Sequence, residues 1–168
     1  MARTSYAIAL GSNRRHGAHG DPGKVLRAAV DAIAALGSVG AVSRIRRTDA
    51  LGPAGRGFAN AALIVDSDLS PPELLQALKA IEARFGRRPG RQWGPRVLDL
   101  DLLLWSAGAW SSAGLTIPHP QMRLRSFVLD PLAEIASGWR DPLTGATMRQ
   151  LRARLLAPRP VDRAPTRS

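Results

Sequence analysis

At 168 residues, 45% of them hydrophobic, the chain is long enough to bury one substantial core and too apolar to be a disordered segment. It has no cysteine, which excludes disulfides and thiolate metal sites and leaves redox chemistry silent about the compartment. The net charge of +11 invites a polyanionic ligand, but aromatics at 5% leave little for base stacking.

Every cationic residue except Lys24 and Lys79 is an arginine, a bias that a genome rich in G+C also produces. The apolar run near the start, Tyr6 to Leu10, is too brief for a signal-peptide core or a membrane span. A soluble, cytoplasmic monomer is therefore the expectation. The domain is expected over residues 1–157, with a mobile Pro- and Arg-rich tail over 158–168.

In chain order, Tyr6 to Leu10 predicts a strand ending at the turn signal Gly11-Ser12-Asn13. Asp21 followed by Pro22 predicts a helix start, and Val25, Leu26, Ala29, Ile33 and Leu36 recur at helical spacing until Gly37. Val39 to Arg47 predicts a second strand, and the glycines and prolines of 48–57 an irregular loop. Phe58 to Asp66 predicts a third strand, with Asn60 on the same face as Phe58. An amide beside an aromatic is either a structural hydrogen bonder or the reader of a flat heterocycle.

Ser70-Pro71-Pro72-Glu73 is a capping box, and Leu74, Leu75, Leu78, Ile81 and Phe85 carry a helix to Gly86. That helix delivers the backbone into a segment holding Arg87, Arg88, Arg91 and Arg96 among glycines and prolines. From Val97 the residues are β-branched, leucine or tryptophan, interrupted only by Asp99 and Asp101. Strand alternation puts both carboxylates on one face, about 6.6 Å apart along the strand, with Leu98, Leu100, Leu102 and Leu104 expected on the other. So apolar a strand reads as central, and central carboxylates are costly unless a cation compensates them. The bland alternative is a half-solvated strand that happens to carry Asp-x-Asp. The adjoining arginines favour a polyphosphate whose charge is shared by divalent cations and guanidinium groups.

Further on, Gly108 predicts a turn, Leu115 to Ile117 a short extended piece, and Phe127 to Ile135 and Thr147 to Leu156 helices. His119, held between Pro118 and Pro120, is either a local hydrogen bonder or a donor to phosphate. Trp93 is either a plug against the core or a lid, and its loop position favours a lid. No Walker A loop or dinucleotide fingerprint is present. Phosphoryl transfer by positioning and electrostatics needs no nucleophilic side chain. The order strand, helix, strand, strand, helix, strand predicts an α+β fold, a ferredoxin-like α/β sandwich. Its mainly antiparallel sheet would have a split βαβ core, helices on one face and extra C-terminal helices.

Gly86-Arg87, Arg91 through Asp101, Pro118-His119, then Met122, Arg125, Phe127 to Leu129 and Pro131 to Ala136 together resemble the 6-hydroxymethyl-7,8-dihydropterin pyrophosphokinases of folate biosynthesis. Ala9 to Asn13, Arg47-Thr48, Leu51-Gly52-Pro53 and Phe58 to Ala62 agree, so the likeness spans about residues 6–136. The resemblance implies an enzyme that moves the β,γ-diphosphate of ATP to the pterin hydroxymethyl oxygen and releases AMP. It implies two Mg2+ ions on Asp99 and Asp101, and catalytic roles for Arg87 and Arg96 on the phosphates. Trp93, Leu102, Thr116, His119 and Arg125 would also meet ATP. Thr48, Leu51, Phe58, Asn60, Trp93 and Phe127 would hold the pterin.

This chain departs from the familiar pattern in four places. The arginine segment is about one residue shorter, Gln92 replaces an arginine, the loop after Pro53 is shortened, and Lys79 stands where a glutamine is usual. The competing class is a basic RNA-binding module, since split βαβ sheets also serve that purpose. The two aspartates on the sheet and the absence of paired aromatics on that strand oppose it, so small-molecule substrates, and no nucleic acid or membrane, are the expected partners.

Overall fold

The computed structural model describes residues 2–13, 21–48, 58–86 and 97–158. Strand β1 (Thr4–Ser12) is followed by helix α1 (Pro22–Ile33), then β2 (Ser38–Val42), β3 (Arg46–Thr48) and β4 (Phe58–Ser67). Helix α2 (Pro71–Gly86) leads to β5 (Asp99–Trp105), the hairpin β6 (Trp110–Ser112) and β7 (Leu115–Ile117), and helices α3 (Ser126–Ala136) and α4 (Met148–Leu156). The sheet runs β2-β4-β1-β5, with β3 also paired to β4. All its pairings are antiparallel. Strands β1 and β2 are thus parallel to each other with β4 between them, and β4 and β5 are parallel with β1 between.

Local chemistry sets the helix starts. Asp21 caps α1 by accepting from the backbone N–H groups of Gly23 and Lys24. Ser70 and Glu73 form the expected reciprocal box at α2, and Thr147 and Gln150 form another at α4. Helix α1 stops at Ile33, where a 3-10 turn over Ala34–Leu36 replaces its last turn. Gly37 follows because a Cβ there would lie 2.0 Å from the carbonyl oxygen of Asp66.

Four expectations need correction. The segment from Val39 to Arg47 is two strands. Ser43 separates them, its hydroxyl accepting the Ala62 N–H at 2.9 Å where a regular strand would offer a backbone carbonyl. Strand β5 lies at the edge of the described sheet, apolar because both of its faces are covered. The helices occupy both sheet faces. Tyr6, Ile8, Leu10, Leu100 and Leu102 pack with α1 and α2, whereas Ala7, Leu103 and Leu104 pack with α3 and α4. Lastly, Leu104 does not share a face with Leu98, Leu100 and Leu102. Ala7 pairs with Leu104 and Ile8 with Leu102, so Leu103 is a bulge residue and the alternation reverses there.

Candidate active site

The face opposite the α1/α2 core carries the acidic pair. Leu98, Leu100 and Leu102 are buried toward α1 and α2, which turns Asp99 and Asp101 to the other side. Asp99 is exposed and Asp101 half-buried. Register extends this face across four strands. Asp99 lies opposite Gly11, Gly11 opposite Asn60, and Asn60 opposite Arg46. Asp101 lies opposite Ala9, and Ala9 opposite Ala62. Two small residues therefore separate the carboxylates from β4. A Cβ on Gly11 would come within 3.3 Å of Asn60 Oδ1, so the glycine leaves the amide its room. Phe58 precedes Asn60 by two positions on the same face, with its ring half open to solvent.

The bulge in β5 positions the next residue. Because Leu103 is displaced from the β1 ladder, its carbonyl oxygen accepts the His119 N–H at 3.0 Å. His119 Nδ1 accepts the Gln121 N–H at 3.2 Å; in a neutral ring this places the proton on Nε2, making that atom a donor. The Pro118-His119-Pro120 turn is thus tied to the acidic strand, with Ile117 and Met122 buried on either side. Arg125 stands just before α3 and donates to Gln121 Oε1. Its guanidinium carbon lies 5.7 Å over the Phe127 ring, a cation–π contact. The contact is made across the start of α3.

Beyond the β5 edge lies a cavity of about 380 Å³. Helix α2 contributes Leu75, Lys79 and Glu82, strand β5 contributes Leu100, Asp101 and Leu102, and the β6–β7 hairpin, Thr116, His119 and Pro120 close it. Gly114 turns this hairpin with φ of 77°, a conformation that suits glycine. Glu82 accepts the Leu100 N–H at 3.3 Å, satisfying an edge donor of β5. Asp101 belongs both to this cavity and to the face leading to Asn60. The carboxylate pair consequently stands between this cavity outside the sheet and an open, aromatic-flanked surface about two strand spacings, roughly 9.6 Å, inward.

The structure therefore brings Asp101, Leu102, Thr116 and His119 to one cavity, and places Asp99, Asn60 and Phe58 on the adjoining face. Thr48 pairs with Phe58 through the backbone of β3. Arg87, Trp93, Arg96 and Leu51 lie outside the described residues. Gly86 and Val97, which flank the arginine segment, are close together: a Cβ on Gly86 would be 3.9 Å from the Val97 nitrogen. Val97 precedes Asp99 by two positions. Sequence reasoning noted Lys79 only as a departure and missed Glu82. The stripe Leu75, Lys79, Glu82, at helical spacing on the side of α2 facing β5, was the available signal.

Two carboxylates on adjacent same-face positions are hard oxygen donors. Among the described residues no group of three or more His, Cys, Asp or Glu side chains could hold a metal. That donor set fits Mg2+, which keeps several waters and takes its remaining ligands from substrate phosphates, rather than a metal needing an all-protein cage.

Comparison with known proteins points to one family. The family model described as 7,8-dihydro-6-hydroxymethylpterin-pyrophosphokinase matches residues 7–137. A 2-amino-4-hydroxy-6-hydroxymethyldihydropteridine pyrophosphokinase of Synechocystis is 47% identical over 140 residues, covering 80% of this chain and 72% of that protein. The protein of the same name in Methylorubrum extorquens is 39% identical over 155 residues, covering 90% and 94%. A crystal structure of Plasmodium falciparum HPPK-DHPS with pteroate superposes with a TM-score of 0.66 at 12% identity. It matches 91% of this chain, which spans 42% of that longer one; at this identity the likeness concerns the fold.

Proposed function

Since the chain belongs to the 7,8-dihydro-6-hydroxymethylpterin-pyrophosphokinase family, we propose that it transfers diphosphate from ATP to the hydroxymethyl group of 6-hydroxymethyl-7,8-dihydropterin, yielding AMP and the pterin diphosphate. The observation that carries this reading is the position of Asp99 and Asp101 between a cavity and an aromatic-flanked amide. Such a site can present two substrates to each other across one acidic pair. The strand order β2-β4-β1-β5 supports a ferredoxin-like description of the fold. Residues 1–157 are read as one domain acting as a cytoplasmic monomer; no described helix is long and apolar enough to cross a membrane.

In this reading ATP occupies the cavity. Leu75, Leu100, Leu102 and Leu115 supply apolar surface for a base, and Lys79, Thr116 and His119 supply polar groups. His119 Nε2 donates to a phosphate oxygen, and Arg125 adds a cation. Asp99 and Asp101 hold Mg2+, two ions by the family resemblance. Bound there, Mg2+ would supply positive charge that offsets the phosphates. Arg87 and Arg96 offset charge as it develops in the transition state, and Trp93 meets both ATP and the pterin. Phe58 and Phe127 flank the pterin ring, Asn60 reads its edge, and the backbone near Thr48 and Leu51 completes the contacts. Asn60 has no structural hydrogen bond from its amide among the described residues, which suits an amide kept for a ligand.

Incubation with ATP, Mg2+ and 6-hydroxymethyl-7,8-dihydropterin, followed by mass detection, tests the assignment. AMP and a pterin diphosphate are expected in equal amounts. ADP with a pterin monophosphate, or no ATP consumption, would refute it.

A further inference from the structure

The run Pro131 to Ala136 forms part of the family resemblance, yet none of its residues takes part in the chemistry above. The structure gives Glu134, in the middle of it, a specific set of contacts. Glu134 Oε1 lies 3.1 Å from Arg46 Nη2 and 3.6 Å from Arg44 Nε. Glu134 Oε2 accepts the backbone N–H of Arg44 at 2.8 Å. One carboxylate on α3 thus holds both arginines and the connection between β2 and β3.

The two arginines differ in weight. The Arg44 side chain is 78% exposed, and an exposed pair at that distance contributes little. The Arg46 side chain is 25% exposed, and its Nη1 is buried with no hydrogen-bond partner among the described residues. Arg46 is the cross-strand neighbour of Asn60, so it shares the face that α3 covers. Glu134 and Phe127 are seven residues apart on α3, about 10 Å along the helix axis. Phe58 and Phe127 are each 47% exposed, so close packing between their rings does not set the distance between β4 and the start of α3. Something else must.

We infer that the Glu134–Arg46 ion pair is a positioning clamp for the pterin side of the site, fixing α3 and its Phe127 relative to Asn60 and Phe58. The inference rests on the pterin reading given above. Pro131 lies between Phe127 and Glu134 and leaves the Phe127 carbonyl without its helical partner, but the helix runs on from Ser126 to Ala136, so an anchor at Glu134 still sets the height of Phe127 over the sheet. The ATP cavity, built from α2, β5 and the β6–β7 hairpin, has no member on α3, and of the groups assigned to ATP only Arg125, at the start of α3, adjoins the clamp, so the clamp acts chiefly on the pterin.

Glu134→Gln keeps the shape and still accepts the Arg44 N–H, but removes the charge facing Arg46. Arg46→Gln removes it from the other side, and Arg46→Lys retains it. Fluorescence titration with 6-hydroxymethyl-7,8-dihydropterin, titration with a non-hydrolysable ATP analogue, and thermal melting are measured on each variant. Absence of pterin binding by the unmodified protein would overturn the pterin reading and the clamp with it. Given that binding, Glu134→Gln and Arg46→Gln are each expected to weaken pterin affinity about five- to tenfold. The ATP analogue should stay within about twofold, and Arg46→Lys should recover most of the loss. Unchanged pterin affinity, a parallel fall in both affinities that follows Tm, or equal damage from Lys and Gln would contradict the clamp.

Discussion

At the level of single residues, the site depends on groups that strand alternation already places together. Asp99, Asp101, Phe58 and Asn60 needed only a period of two to be assigned faces, and the structure puts them on the side expected. Asn60→Ala should raise KM for the pterin about ten- to a hundredfold while KM for ATP holds. That range is the order expected for two lost hydrogen bonds of about 1 kcal/mol each. Steady-state kinetics varying each substrate separately would check it, and equal changes in both constants would count against the assignment. Asp141 makes a different, structural point. Its side chain is fully buried. Burial alone would raise its pKa, but hydrogen bonds from Arg123, the Leu143 N–H and Thr144, with the charge of Arg123, bring it down from 3.8 to about 2. A pKa lowered by folding stabilises above the unfolded value, and the contribution is lost as pH falls from about 4 to about 2. Asp141→Asn should cost about 2–3 kcal/mol at neutral pH, less than the ~3–5 of a wholly buried pair, because Arg123 is 26% exposed. Denaturant unfolding of both proteins should show that difference shrinking below pH 4; a difference independent of pH would refute the ion-pair account.

Among the secondary-structure elements, legibility followed locality. The caps at Asp21, Ser70 and Thr147 are chemistry within four residues and could be read directly from sequence, as could the length of α2. The bulge at Leu103 could not, since it exists only in the register between β5 and β1, and it is what turns Leu103's carbonyl toward His119. The two-strand character of Val39 to Arg47 depends on Ser43 meeting Ala62 nineteen positions away. Gly37 is similar: nothing local demands it beyond ending a helix, but the Asp66 carbonyl leaves no room for a side chain. Gly37→Ala should therefore destabilise by about 1–3 kcal/mol, the range for forcing an extra carbon into a packed site. A thermal melt would measure it, and an unchanged Tm would show that the α1–β2 turn yields easily.

For the molecule as a whole, the order of the main elements was legible from sequence, but the face that each helix would cover was not. Both faces of the sheet are occupied, by α1 and α2 on one side and by α3 and α4 on the other. Helices α3 and α4 cover part of the face that a split βαβ module would need open to bind RNA, which weighs against the alternative that the basic composition raised. The cavity was illegible for the same reason: it forms where α2, β5 and the β6–β7 hairpin meet, and no stretch of sequence contains it. If Asp99 and Asp101 hold the metal-bound nucleotide, removing Mg2+ with EDTA should abolish AMP formation, and restoring the ion should return it. The most direct test of the central claim compares the unmodified protein with Asp99→Asn and Asp101→Asn in one assay of AMP and pterin diphosphate formation, alongside thermal melting. Loss of about a hundred- to a thousandfold in turnover, the order seen when charge stabilisation of a transition state is removed, with Tm nearly unchanged because neither carboxylate is buried, is the expected result. Turnover within a few fold of the unmodified protein in both variants would contradict it.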